Sequence, residues 1–155
     1  MRFFVTRVIP ALIALAIACG IASPALASTT PGQAPINGGN ISCALTSHEE
    51  HQLAAGSQFT QPHVVTRDGV ISLGFGPKSA LSVIIGRPGY LEFVNGYKPV
   101  GTPVHLGHVV GYVHWTGEYN LAVYVRGELI AVMGTHRSTV IRVTTELLRR
   151  LGVIE

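Results

Sequence analysis

Residues 120–133, NLAVYVRGELIAVM, and the segment that follows at 139–151, TVIRVTTELLRRL, decide how this chain folds. In the first, two runs of β-branched and aromatic residues, Asn120–Val125 and Leu129–Met133, flank Arg126-Gly127. Such side chains fit a pleated, half-buried surface, and a short glycine turn between them predicts an antiparallel hairpin. In the second the period changes. Val140, Val143, Leu147 and Leu151, with Ile141 and Leu148, fall at helical spacing and predict one amphipathic helix over Thr139–Leu151, stopped by Gly152. Glu146 stands four residues before Arg150, a supportive pairing on a helix. One apolar stripe needs one apolar face to cover, so this helix is expected to lie across a sheet.

The sheet extends toward the N-terminus. His63–Thr66 and Val70–Phe75 flank Asp68-Gly69, a strong signal for a two-residue hairpin turn. Ala80–Ile85 is a β-branched run ended by Gly86-Arg87-Pro88-Gly89. Tyr90–Val94 reads as a further strand running into Asn95-Gly96, and Tyr97–Pro103 as a loop. His105–Trp115 reads as one long strand, turned by Thr116-Gly117-Glu118. Before the strands, Ser47 and Glu50 have the spacing of a capping box, which predicts a short helix from His48 to Ala55 with Gly56 at its end. The expected fold class is α+β. It is an antiparallel β-sheet of about five to seven short strands, with the C-terminal helix packed on one face and a short N-terminal helix. Residues 47–155 make this single domain, and 28–46, rich in Pro, Gly and small polar residues, make a flexible lead-in.

The first 27 residues have another character. Met1, Arg2 and Arg7 give a basic start, Val8–Cys19 is an uncharged apolar run, and Gly20 and Pro24 precede Ala25-Leu26-Ala27. A basic start, an apolar middle and an A-x-A end are the three parts of a secretory signal peptide, here 1–27. The apolar run is shorter than the roughly 20 residues a spanning helix needs, so no transmembrane helix is expected after cleavage. The expected location is therefore secreted or extracytoplasmic. An alternative lies within the run: Leu15-Ala16-Ile17-Ala18-Cys19 resembles the lipobox of bacterial lipoproteins. Processing there would lipidate Cys19 and leave a membrane-anchored lipoprotein.

The signal also carries most of the chain's basicity. The formal net charge of +3 includes Arg2 and Arg7, so the part beyond Ala27 carries +1. Arg142, Arg149 and Arg150 form the only basic cluster, and cations near a helix C-terminus suit its dipole. Clustered cations with interleaved aromatics are lacking, which argues against a nucleic-acid partner. With 47% apolar and 12% charged residues, the composition is that of a folded domain, not a disordered one. Beyond Ala27 a single cysteine remains, Cys43, which has no internal disulfide partner.

Seven histidines, all beyond Ala27, are the unusual feature. His48 and His51 are three apart on the N-terminal helix and could touch one metal ion, though the four-residue spacing of a zinc-protease helix is absent. His108 and His114 lie six apart on the expected long strand, roughly 20 Å along it, too far for one zinc with bonds near 2 Å. His105 falls at an odd offset and is expected on the opposite face unless Gly107 bulges the strand. If the C-terminal helix covers Val109, Gly111, Val113 and Trp115, the other face leaves Tyr112 with His108 and His114 partly exposed. Together with Tyr124 these are the expected binding residues, suited to a protein or cell-envelope ligand. No resident cofactor is expected. No nucleophile elbow of G-x-S-x-G form occurs. The leading expectation is thus a non-enzymatic binding or interaction module of the cell envelope or extracellular space. The alternatives are a small extracytoplasmic hydrolase and a histidine-based metal or haem binder. The hydrolase would use His108, His114 or His136 with a carboxylate, or Cys43 with a histidine.

Overall fold

The computed structural model describes residues 44–55 and 63–155. The expected signal peptide, Cys19, most of the lead-in and Cys43 lie outside the described residues.

Seven strands form one antiparallel sheet: β1 (His63–Arg67), β2 (Val70–Gly76), β3 (Ser79–Ile85), β4 (Thr102–Leu106), β5 (Val109–Trp115), β6 (Tyr119–Val125) and β7 (Glu128–Gly134). Their order is β1-β2-β3-β7-β6-β5-β4, so two meanders meet where β3 pairs with β7. Each tight turn has its sequence reason. Asp68-Gly69 and Arg126-Gly127 both have positive φ at two successive residues, the geometry whose twist matches a hairpin.

Helix α1 spans Ser47–Leu53, α2 spans Arg87–Glu92 and α3 spans Arg137–Arg150. The α3 helix starts three residues after β7 and runs back along it, 14 residues against a strand of seven. At ~1.5 Å rise per residue against ~3.3 Å, the two lengths match. Its stripe of Val140, Val143, Leu147 and Leu148 is buried against Leu81, Val83, Leu121, Val123, Ile130 and Val132 of the sheet. Arg126, in the β6–β7 turn, donates to the carbonyl oxygens of Leu151 and Gly152, 2.9 Å each, and so closes the helix C-terminus.

Several local expectations are corrected. The capping box is one residue earlier than expected. Thr46 accepts from the Glu49 backbone at 3.3 Å, and the Glu49 carboxylate accepts from the Thr46 backbone at 2.8 Å. Arg150 of α3 fixes this register by donating to the same carboxylate at 2.6 Å. That contact also takes Arg150 away from Glu146, which pairs with Arg149 instead.

The segment Tyr90–Val94 is helical, not a strand. Pro88 sits in the first turn of α2, and the helix continues as a π-helical turn over Phe93–Tyr97. Tyr90, Phe93 and Tyr97 then share one face by their spacing of three and four residues. Gly89 allows this: a Cβ there would collide with the Ile84 carbonyl oxygen and lie 3.1 Å from the Leu129 Cβ. The long strand His105–Trp115 is in fact the β4–β5 hairpin, because Gly107 takes φ +62 and turns the chain. His105 therefore pairs with Val110 and shares the sheet face of Tyr112 and His114.

Among the described residues no helix is long and apolar enough to cross a membrane.

Candidate functional site

The two sheet faces are covered differently. On the face away from α3, α2 and the π turn lie over β3, β7, β6 and β5. Tyr90 meets Tyr124 edge-on at 5.4 Å between ring centroids, Phe93 meets Tyr112 at 5.6 Å, and Tyr97 meets His114 at 5.2 Å. Tyr112, Tyr124 and His114 are thus half-buried beneath a helical cover. The segment 87–97, read from sequence as strand and loop, lies over the patch expected from the strand pattern and leaves Tyr112, Tyr124 and His114 only partly exposed. Its other histidine, His108, is not on that face; it sits in the β4–β5 turn, exposed. There it lines a cleft with Gly107, Gly152, Val153, Ile154 and Glu155.

Beneath the helical cover, His114 Nδ1 is buried without a hydrogen-bond partner. Burial pushes the Tyr97 hydroxyl above its ordinary range, and the charge of Glu92 adds to that. Both effects oppose a phenolate there.

His48 and His51 are exposed on α1 and each is held locally. His51 Nδ1 bonds the Ser47 carbonyl at 2.7 Å, and His48 Nε2 bonds the Gln52 amide. Among the described residues no three His, Cys, Asp or Glu side chains come together as a set that could hold a metal ion. Glu50, on the inner side of α1, is buried, and that burial raises its carboxyl above the ordinary value.

On the α3 side the cover is incomplete at one end. The helix packs mainly over β7 and β6, so the end of β5, one strand further from β7, lies to its side. Trp115 and Tyr119 are cross-strand partners there. Their rings are 4.7 Å apart and tilted by 57°, and Trp115 is 59% exposed. Tyr119 continues into a shallow groove of about 580 Å³, whose other walls are His136, Arg137, Ser138, Ile141 and Arg142. The groove is thus lined by Tyr119, whose neighbour is Trp115, by Ile141 and by two arginines of α3.

The guanidinium groups differ from most arginines of the fold. Arg67, Arg149 and Arg150 are ion-paired, and Arg126 caps a helix. Among the described residues Arg137 and Arg142 have no carboxylate within ion-pair distance. Both are solvent-exposed cations open to an anionic ligand.

Sequence reading placed Trp115 on the α3 face but expected the helix to cover it. The signal that could have corrected this is the short link from Gly134 to Arg137. It sends the helix back over β7 and β6, and Trp115, on the side of Tyr119 away from β7, is left beside it. Compared with known families, curated proteins and solved structures, the chain matches none, so its chemistry is read from its own residues.

Proposed function

We propose that this protein is an exported, non-enzymatic binding module of the cell envelope or the extracellular space, and that the groove at the start of α3 is its binding face. The observation that carries the reading is Trp115. A tryptophan more than half exposed and packed on a second aromatic is hydrophobic surface left accessible where burial was available on the same sheet face. Exposed aromatic patches with polar rims mark interaction sites, and Trp, Tyr and Arg are the residues that dominate binding energy in them. The three-part N-terminus of residues 1–27 supports an extracytoplasmic setting.

The test is cosedimentation of the processed protein with purified, protein-free cell-wall material. The wild type is expected in the pellet, and Trp115→Ala is expected largely in the supernatant. A wild type that stays soluble with every wall preparation, or a Trp115→Ala variant that pellets equally, would overturn the reading.

A further inference from the structure

We infer that the groove binds a carboxylate-bearing carbohydrate chain, of the uronic-acid type; this rests on the binding-module reading above. Two independent features of the groove point to that chemistry. The first is the ledge of Tyr119, which lines the groove, and Trp115, which packs on Tyr119 beside it. The flat, C–H-lined face of a pyranose ring packs on an aromatic surface, and a tilted pair of rings 4.7 Å apart offers two such surfaces to a chain that turns between sugar units. The second is charge. Arg137 and Arg142 line the same groove, have no ion-pair partner among the described residues, and meet no carboxylate among the residues lining it. A planar guanidinium matches a carboxylate with two parallel hydrogen bonds, which gives direction as well as attraction.

The combination excludes simpler ligands. A neutral sugar would use the ledge and leave both guanidinium groups unanswered. A free inorganic anion would use the guanidinium groups and leave the ledge idle. A uronate chain uses both: sugar faces lie on Trp115 and Tyr119, and carboxylates reach Arg137 and Arg142. Among the described residues Arg87, at the start of α2 and away from the groove, also has no ion pair in the fold and serves as the control.

Trp115 is the only tryptophan in the chain, so emission reports on this residue, which packs on Tyr119 beside the groove. The processed protein is titrated with hexasaccharides of galacturonate and of hyaluronan, with their carboxyl-reduced counterparts, and with a hexaglutamate peptide. At least one uronate hexasaccharide is expected to give a saturable change in emission. Its carboxyl-reduced form is expected to bind about tenfold more weakly or worse, the size of one lost charge-assisted contact. The double variant Arg137→Gln/Arg142→Gln is expected to lose binding by a similar factor or more, while Arg87→Gln retains it. Calorimetry of Trp115→Ala, which has no emission to follow, is expected to show the same loss.

Equal binding of the reduced sugars would overturn the proposal, as would a double variant indistinguishable from wild type. Hexaglutamate bound as tightly as the sugars would make the partner an acidic peptide instead. Silence toward every hexasaccharide would also overturn it. In that case, wall cosedimentation that still depends on Trp115 would show that the ligand class alone was wrong, and its absence would remove the binding-module reading as well.

Discussion

Gly89→Ala separates a rigid contact from a yielding one, and the structure sets its size. The helix α2 approaches the sheet so closely that a Cβ at position 89 would collide with the Ile84 carbonyl oxygen and stand 3.1 Å from its carbon. That neighbour is backbone in the central strand β3, paired on both sides, so it cannot rotate away. Overpacking of this kind costs about 1–3 kcal/mol. Replacing glycine by alanine inside a helix returns about 0.5–1 kcal/mol. The net expectation is a loss of about 1–2 kcal/mol, or roughly a tenfold increase in the unfolding equilibrium constant.

Gly96→Ala provides the comparison. Its Cβ would lie 2.8 Å from Glu92 Oε1, the far end of a flexible side chain that can swing into solvent. This substitution is expected to change stability by no more than about 0.5 kcal/mol. Urea unfolding followed by far-ultraviolet circular dichroism measures both, with an unchanged slope expected for each. If Gly89→Ala were as stable as the wild type, or if Gly96→Ala were the more damaging of the two, α2 would not be seated on β3 as described.

Four further substitutions test the same packing. Arg126→Ala removes two charged donors from the α3 C-terminus and is expected to cost about 1–2 kcal/mol in urea unfolding; no loss would mean that water caps the helix equally well. Glu49→Ala is expected to cost about 1–2 kcal/mol, because it removes both a cap and the partly buried partner of Arg150. Glu146→Ala, whose ion pair is about half exposed, should stay within about 0.5 kcal/mol, and a reversal of that order would refute the assignment of Glu49 as the tie between α1 and α3. Burial raises the Glu50 carboxyl, so the folded state binds its proton more tightly than the unfolded chain does. Its ionisation therefore opposes folding at neutral pH, and the penalty fades as pH falls through the raised value toward the ordinary one. Glu50→Gln should accordingly be more stable than the wild type at pH 7, with the gap closing in acid; a gap that widens in acid would contradict the sign.

The antiparallel sheet and the C-terminal helix were legible because each depends on local signals: period two with glycine turns, then period 3.6 with a glycine stop. The Asp68-Gly69 and Arg126-Gly127 turns, and the stripe from Val140 to Leu148, fell where the pattern put them. The α2 segment was harder to read. Tyr90, Phe93 and Tyr97 fit a helix face as well as a strand, and what settles the choice is the space above Ile84 that only a glycine at 89 can enter. The same holds for the histidines. Their spacing described a long strand, and a single positive φ at Gly107 folded that strand in two and carried His108 away from His114.

The candidate site lies further from the sequence still. Trp115 and Tyr119 are neighbours across one turn and could be paired by reading alone. Arg137 and Arg142 share a groove with Tyr119 only because α3 lies back over β7 and β6. The sequence by itself determines which residues are apolar at which period, and hence the class of each long element and the face it buries. Tertiary structure decides which strands a helix lies over. That placement is a property of the packed whole, and it determines which aromatic side chains are covered and which guanidinium groups stand beside those that are not.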